Sequence, residues 1–142
     1  MTVTLPELAT GTVGDAMSPG VLTCLPVTPL RVVARMMATH RVHSIVVFGT
    51  DDHLVPWGVV SDLDLVAAIG SNANAGSVAG SPVVTVTPDD TLFHAAQLMR
   101  ENSTAHLLVV APDTHLPIGV LSTLDLARAL AAEPGPDEFS DG

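Results

Sequence analysis

An internal repeat constrains this chain of 142 residues more than any other feature of its sequence. Residues of the same type coincide when the first half is shifted forward by 62 positions as far as Leu54, and by 61 positions after one residue is lost there. The coinciding pairs include Thr23 with Thr85, Pro26 with Pro88, Met37 with Met99, Gly58 with Gly119, Ser61 with Ser122 and Asp64 with Asp125. Since about 60 residues bury too little apolar surface to be stable alone, we expect the two halves to share a core about a pseudo-twofold axis.

Each half has the pattern of a β-α-β-β-α unit, which predicts an α+β fold. In the first half, apolar residues recur at helical spacing after Thr28-Pro29. We expect Thr28 to cap this helix and Pro29 to lie in its first turn, and Asp90 to be the cap in the second half. The predicted strands are 21–24, 44–48, 57–61, 83–86, 106–110 and 118–122, and the predicted second helices of the two halves are 63–69 and 124–132.

The same pattern divides the chain into five segments. Residues 1–11 lead into the fold, residues 12–70 form the first repeat and residues 77–132 form the second. The small residues at 71–76 are typical of a linker, and the acidic residues at 133–142 are typical of a disordered tail.

The charge balance excludes several classes of partner. Fifteen acidic residues against five basic ones, all of them arginine, give a net charge of −10. Nucleic acids require a cationic track on the protein and anionic membranes attract basic clusters, so we expect neither as a partner. The single cysteine, Cys24, excludes an internal disulfide, and with the lack of a signal-peptide pattern it favours a cytoplasmic protein.

The candidate functional motif is a strand that ends in serine and leads at once into a helix. It occurs twice, as Gly58-Val-Val-Ser-Asp-Leu-Asp64 and as Gly119-Val-Leu-Ser-Thr-Leu-Asp125. Free N–H groups at a helix start favour anions, a serine hydroxyl can join them on a phosphate, and the aspartate can accept from both hydroxyls of a ribose. The same Ser-x-x-Asp spacing is also that of a capping box, so each copy alone is compatible with a purely structural role.

A known family shares these features in the same order. They are Asp15-Ala-Met-Ser-Pro19, the Thr-x-x-Pro starts at Thr23 and Thr85, the strand Ser44-Ile-Val-Val47 and both Gly-φ-φ-Ser-x-x-Asp copies. Over about residues 12–132 the chain resembles a tandem pair of CBS (cystathionine β-synthase) motifs, or Bateman module, of the stand-alone actinobacterial type. The resemblance implies a non-enzymatic regulatory module that binds an adenosine-type nucleotide in the cleft between its repeats and signals to a partner protein.

The resemblance also implies two nucleotide sites. In each, the aspartate of the motif would hold the ribose and its serine would touch phosphate, with residues at the start of the central strand and a segment of the opposite half closing the site. Aliphatic residues would surround the adenine, namely Val59, Val60, Val120 and Leu121. The first site would comprise His43, Ser44, Ser61, Asp64, Ser77 and Val78, and the second would comprise Thr12, Val13, Ala105, His106, Ser122 and Asp125.

The implied ligand is AMP, ADP, ATP or another adenosine derivative, and no cofactor is required. The chain departs from a polyphosphate binder because Asp62 lies inside the first motif, no lysine is present, and Arg41 is the only arginine close to a predicted strand start. These departures favour AMP or ADP over ATP. His43 and His106 could donate to a phosphate when protonated, or could simply pack at the strand starts.

Other interpretations have less support in the sequence. None of the six histidines has the spacing of a metal site, and no activated nucleophile can be placed, so we expect neither a metal nor an enzyme. The resemblance implies a homodimer, parallel or antiparallel, through helical faces around Met36 and Leu126. The alternative function is a dimeric interaction or scaffold module with vestigial ligand sites, which Asp62 and the scarcity of cations support.

Overall fold

The computed structural model describes residues 11–49, 56–79 and 83–132. Contacts divide the chain into two compact units, one of residues 20–83 and one that joins the residues up to 19 to those from 84 onward. Each unit therefore holds most of one repeat together with a segment from another part of the chain. The expected lead, apart from Gly11, and the expected acidic tail lie outside the described residues.

The helices and strands follow the predicted β-α-β-β-α order in both repeats, which confirms the α+β fold. In chain order they are α1 (Val13–Ala16), β1 (Ser18–Pro19), β2 (Thr23–Cys24), α2 (Leu30–His40), β3 (Ser44–Phe48), β4 (Pro56–Ser61), α3 (Asp62–Ala67), α4 (Ala75–Val78), β5 (Thr85–Val86), α5 (Leu92–Asn102), β6 (His106–Val110), β7 (Pro117–Ser122) and α6 (Thr123–Ala132). The repeat pattern did not predict β1 or α4 as elements, and α1 overlaps the segment Asp15-Ala-Met-Ser-Pro19 that the chain shares with the family it resembles.

The two repeats build their sheets in the same way. In the unit of residues 20–83, β2 runs parallel to β3 and β3 pairs antiparallel with β4, and in the other unit β5, β6 and β7 repeat this order. The register is also the same, because Ser44 lies opposite Ser61 and His106 lies opposite Ser122. The start of the central strand therefore lies beside the end of the last strand in each repeat, which makes the predicted site residues at these positions neighbours.

Each unit has its own cluster of buried apolar side chains between sheet and helices. A fully buried aliphatic side chain contributes about 1.5–3 kcal/mol to stability. The first cluster comprises Val33, Met37, Ile45, Val47, Val60 and Ala75, and the second comprises Val13, Val86, Leu92, Ala95, Met99, Leu107, Val109 and Leu121. A core common to both repeats stays a prediction.

Two helix starts lie one residue later than predicted. Pro29, rather than Thr28, is the cap of α2, and the Thr28 hydroxyl instead accepts a backbone N–H of the preceding turn. Thr91, rather than Asp90, caps α5, while the Asp90 carboxylate accepts from the Thr87 N–H at 2.9 Å. In both cases the turn before the helix competes with the helix for the polar side chain.

Short segments from outside each repeat complete the two units. Strand β1 pairs antiparallel with β7 and places Pro19 opposite Gly119, and Val13 of α1 is fully buried in the same unit. In the unit of residues 20–83, Ala75 of α4 is fully buried, and its N–H donates to a carbonyl of the turn before α2 at 2.8 Å. The segment predicted as a linker, residues 71–76, therefore ends inside a packed helix.

Gly119 lies where β1 approaches β7 most closely, and its replacement tests this contact. A Cβ at this position would lie 2.5 Å from the Ser18 carbonyl oxygen and 3.1 Å from Met17 Sδ. We expect Gly119→Ala to lower the free energy of unfolding in urea by about 1–3 kcal/mol, because backbone atoms must move apart. Gly49→Ala is the matched control, since nothing lies within 4 Å of its Cβ, and it should be neutral or raise stability by about 0.4–1 kcal/mol. Equal stability of the two variants would contradict the close approach of β1.

Candidate functional site

The first corner, which we define as residues 61–64, joins β4 to α3. The strand ends in extended backbone at Ser61, and the Ser61 hydroxyl oxygen accepts from the Asp64 N–H at 3.2 Å. In return, Asp64 Oδ2 accepts from the Ser61 N–H at 2.8 Å. This reciprocal arrangement is a capping box, which satisfies two N–H groups that a helix start leaves unpaired.

The second corner, residues 122–125, joins β7 to α6 with the same hydrogen bonds. Asp125 Oδ2 accepts from the Ser122 N–H at 2.8 Å and lies 3.1 Å from the Ser122 hydroxyl, which accepts from the Asp125 N–H at 3.2 Å. Asp125 is 6% exposed and is the one buried charged residue among those described. The guanidinium of Arg128 lies one turn further on, with Nη1 3.7 Å from Asp125 Oδ1.

Both aspartates therefore take part in capping their helices through Oδ2, and the Oδ1 atom of each lies outside these capping hydrogen bonds. In the described part of the chain, Asp64 Oδ1 has no hydrogen-bond donor, and Asp125 Oδ1 is approached by the exposed Arg128. A carboxylate has about four acceptor sites, so a cap that occupies Oδ2 leaves Oδ1 free to accept from a ligand hydroxyl. The structural and the ligand-binding interpretations of this motif are compatible in one side chain.

The residues before the central strands hold the two corners through equivalent backbone bonds. The Asp62 N–H donates to the His43 carbonyl and the Thr123 N–H donates to the Ala105 carbonyl, both at 3.0 Å. The side chains at these positions differ, because His43 Nδ1 lies 3.0 Å from Asp62 Oδ2, whereas alanine and threonine carry no ionisable group. The first repeat thus has a hydrogen-bonded His–Asp pair that the second repeat lacks.

The other residues expected at the first site lie in the same unit as its corner. Ser44 is half-buried opposite Ser61, and α4, which contains Ser77 and Val78, packs against β4. The Ser77 hydroxyl donates to Asn74 Oδ1 at 2.9 Å, while Val78 packs against the apolar cluster. All six expected residues thus belong to one unit, and their part in ligand binding stays a prediction.

The residues expected at the second site are also brought into one unit. Helix α1 packs against α6, and Thr12 caps α1 with its hydroxyl 3.3 Å from the Asp15 nitrogen. Val13 is fully buried in the core, so Thr12 is the member of this pair that can present a side chain at the surface. His106, half-buried opposite Ser122, exchanges backbone hydrogen bonds with the Thr104 hydroxyl.

The aliphatic residues expected around an adenine divide between the two faces of each sheet. Val60 and Leu121 are fully buried, whereas Val59 and Val120 are partly exposed. Because successive strand residues point to opposite faces, Val59 and Val120 are the ones whose side chains a ligand could reach.

Two features of the second corner were missed in the sequence. The first is Arg128, which the i, i+3 spacing from Asp125 on a helix could have indicated. The second is the Leu124 N–H, for which the structure shows no acceptor among the described residues, although the equivalent Leu63 N–H donates to Asp62 Oδ1 at 2.8 Å. The residues that precede these two amides, Asp62 and Thr123, differ in the sequence and could have indicated this difference.

Within residues 11–49, 56–79 and 83–132, no group of three or more histidine, cysteine or acidic side chains could hold a metal ion. None of the described helices combines the length and the apolar character needed to cross a membrane.

Comparison with known proteins identifies one family. The CBS domain family matches residues 13–71 and 75–132. A CBS domain protein from Pyrobaculum aerophilum, solved with AMP, is 28% identical with a TM-score of 0.71, and the match covers 84% of this chain and 95% of that one. CBSX2 in complex with AMP is also 28% identical, with a TM-score of 0.64 and coverage of 84% and 96%. The CBS domain pair of MJ0100, solved with 5′-methylthioadenosine and S-adenosyl-L-methionine, has a TM-score of 0.77 and coverage of 88% and 99%, and at 19% identity it shows a likeness of fold alone.

A curated relative is an enzyme that is much longer than this chain. It is a homoserine O-acetyltransferase of Methanosphaerula palustris, 29% identical over 123 residues. The match covers 86% of this chain but only 24% of the relative. The chain therefore spans about a quarter of that enzyme's length, and the likeness concerns that part alone.

The single cysteine offers a test of the environment around β2. Burial raises the pKa of the Cys24 thiol above its ordinary value of 9.0, and a hydrogen bond with Thr28 partly offsets this increase. Because the thiolate is the reactive form, alkylation by iodoacetamide should rise with pH through a midpoint above 9.0 in the folded chain. The same chain in urea is the control and should show the ordinary midpoint, while a folded-state midpoint below 9.0 would contradict the buried position.

Proposed function

Because the chain belongs to the CBS domain family, we propose that it is a regulatory module that binds an adenosine-type nucleotide and signals to a partner protein. AMP or ADP is preferred to ATP in this proposal, and the chain itself carries out no reaction. As its cysteine content suggests, it acts in the cytoplasm.

The observation that carries the proposal is the duplicated corner. Each copy presents a serine, a helix start and a carboxylate whose Oδ1 lies outside the capping box. Two relatives at 28% identity that cover most of this chain were solved with AMP. The combination of corner geometry with these relatives supports an adenosine ligand more strongly than either does alone.

In the proposed complex, each aspartate accepts a ribose hydroxyl through Oδ1, and each serine contributes polar contacts beside it. Thr12 and the strand start at Ala105 and His106 border the second corner, as His43, Ser44 and Ser77 border the first. Val59 and Val120 provide apolar contact for the base. Charge-assisted hydrogen bonds of this kind are worth about 1.5–3 kcal/mol each.

The preference for a short phosphate chain follows from the charges. The chain has five arginines, no lysine and a net charge of −10, so a triphosphate would meet a repulsive field. An AMP-like ligand places less negative charge on the protein and depends on a few local donors.

The alternative is an interaction or scaffold module with vestigial sites. It is favoured at the first corner, where the His43–Asp62 pair occupies the position next to the helix start. The two functions differ in a simple observable, which is whether any adenosine compound binds the folded chain.

The binding test compares wild type with Asp64→Asn and Asp125→Asn by calorimetric titration with AMP. The asparagine oxygen can still accept from the serine N–H, so the cap is retained, but its amide replaces the oxygen that would accept from ribose. We expect each variant to weaken its own site about ten- to a hundred-fold. Thermal unfolding at a hundred times the dissociation constant should show a gain of about 2.7 kcal/mol for wild type.

Asp113→Asn is the control for the loss of one negative charge, because Asp113 is an exposed residue in the turn between β6 and β7. Its AMP affinity should equal that of wild type. If AMP, ADP, ATP, adenosine and S-adenosylmethionine all fail to bind the folded wild-type chain, the scaffold alternative replaces the nucleotide module.

We also propose that the chain forms a homodimer through helices of the two units. The residues expected in the contact, Met36 and Leu126, are partly buried and pack against the core clusters. Exposed apolar side chains offer a better contact surface on each unit, with Leu63 and Val66 on α3 of one unit and Leu130 on α6 of the other. A stable interface needs about 800 Å² on each partner, which a group of such residues can supply.

Val66→Glu tests this dimer by sedimentation equilibrium. The side chain of Val66 is 62% exposed in the single chain, so the variant should fold normally, yet a charge in the interface should shift the chain to a monomer. Val27→Glu is the control, since Val27 is similarly exposed, at 68%, but lies in a loop. A monomeric wild type, or a dimer that tolerates Val66→Glu, would refute this surface.

A further inference from the structure

We propose that the two corners are not equivalent, and that a ligand phosphate binds at the second corner in preference to the first. This inference rests on the proposed function and assigns the selectivity to residues at equivalent positions of the repeat. They are His43 and Asp62 in the first repeat, and Ala105 and Thr123 in the second.

The two corners have the same backbone hydrogen bonds, so they differ in their side chains. The N–H of the first helical residue donates to the carbonyl before the central strand at 3.0 Å in both repeats. The serine N–H donates to the aspartate at 2.8 Å in both. A difference in ligand preference between the corners must therefore come from the residues that differ.

The first corner has more negative charge than the second, which disfavours a phosphate there. The first corner has two carboxylates, Asp62 and Asp64, and the ring of His43, which is already hydrogen-bonded to Asp62 at 3.0 Å, whereas the second has Asp125 alone. The second corner also has a cation, since Arg128 lies 3.7 Å from Asp125, whereas the equivalent residue of the first repeat is Ala67. Like charges a few ångströms apart repel and opposite charges attract, so an anionic ligand is favoured at the second corner.

The first corner also has fewer free hydrogen-bond donors than the second. At the first corner, every N–H from Ser61 to Asp64 already has an acceptor, and Asp62 itself occupies the Leu63 N–H through Oδ1 at 2.8 Å. At the second corner, the Leu124 N–H has no acceptor in the part of the chain that the structure describes. A phosphate needs donors, and Asp62 acts as an internal substitute for one at the first corner.

The His43–Asp62 pair is not explained by stability. The two side chains are 70% and 53% exposed, and exposed pairs of this type contribute little to folding. Its effect is to keep a carboxylate and its hydrogen-bonded partner at the first corner. This corner therefore suits an adenosine-type ligand with no negative charge at that end, while the second suits a nucleoside monophosphate.

The experiment exchanges the differing residues between the repeats. His43→Ala with Asp62→Thr gives the first corner the residues of the second at these two positions, and Ala105→His with Thr123→Asp does the reverse. Each protein is titrated calorimetrically with AMP and with adenosine, which lacks the phosphate. Asp113→Thr is the matched control, because the Asp113 carboxylate is exposed and accepts from the next N–H at 2.9 Å, as Asp62 does.

We expect wild type to bind one AMP per chain tightly, at a site that Asp125→Asn weakens and Asp64→Asn does not. The first exchange should strengthen AMP binding at the other site about ten-fold, and the reverse exchange should weaken the tight site by a similar factor. Adenosine affinity should change less than about three-fold in both, and Asp113→Thr should change neither ligand.

The outcomes separate this inference from the function on which it rests. Two equal AMP sites in wild type, a tight site removed by Asp64→Asn, or equal effects of the exchanges on AMP and adenosine would overturn the inference and leave nucleotide binding intact. Binding of adenosine without AMP would overturn it as well. If neither ligand binds any of the proteins, the proposed function fails and the inference fails with it.

Discussion

In each repeat, reciprocal hydrogen bonds between a serine and the aspartate one turn later determine how the backbone passes from the last strand of the sheet into the following helix. They satisfy N–H groups that the start of α3 or α6 would otherwise leave unpaired. They also compensate for the burial of the Asp125 carboxylate, which would be costly without donors. The same side chains that fix the corner carry the oxygen proposed to hold a ribose, so folding and ligand binding depend on different atoms of one residue.

Each unit combines residues that are distant in sequence, so the residues proposed to surround each corner come from separate parts of the chain. Thr12 is the first residue of the first repeat but lies in the unit of the second corner, and Ser77 is the first residue of the second repeat but lies in the unit of the first corner. The close approach of β1 to β7 requires a residue without a side chain at Gly119. The glycine of the second motif thus serves the packing of a neighbouring segment.

Much of the fold could be predicted, because duplication repeats each signal. The central strands at 44–48 and 106–110 were predicted with the bounds that the structure has, since both are short apolar runs between polar residues. The predicted caps, Thr28 and Asp90, lie one residue before the observed ones because their side chains accept from N–H groups of the preceding turn instead. Helix α4 is too short, at four residues, to show a period, and it is held by contacts with distant parts of its unit.

The corners themselves could be predicted from Ser-x-x-Asp, and Asp62 is visible in the sequence as a departure of the first copy, but the contact between His43 and Asp62 could not be predicted. His43 and Asp62 are 19 positions apart, and only the register of β3 against β4 brings them together. Once that register is known, the two repeats can be compared position by position. Positions that match preserve the common backbone structure, and positions that differ show where the copies have diverged. Two such differences, at Asp62 and Ala67, lie at the first corner and make it less favourable to an anion than its copy, while the His43 ring there is hydrogen-bonded to Asp62. These differences support the proposal that the two sites have distinct preferences.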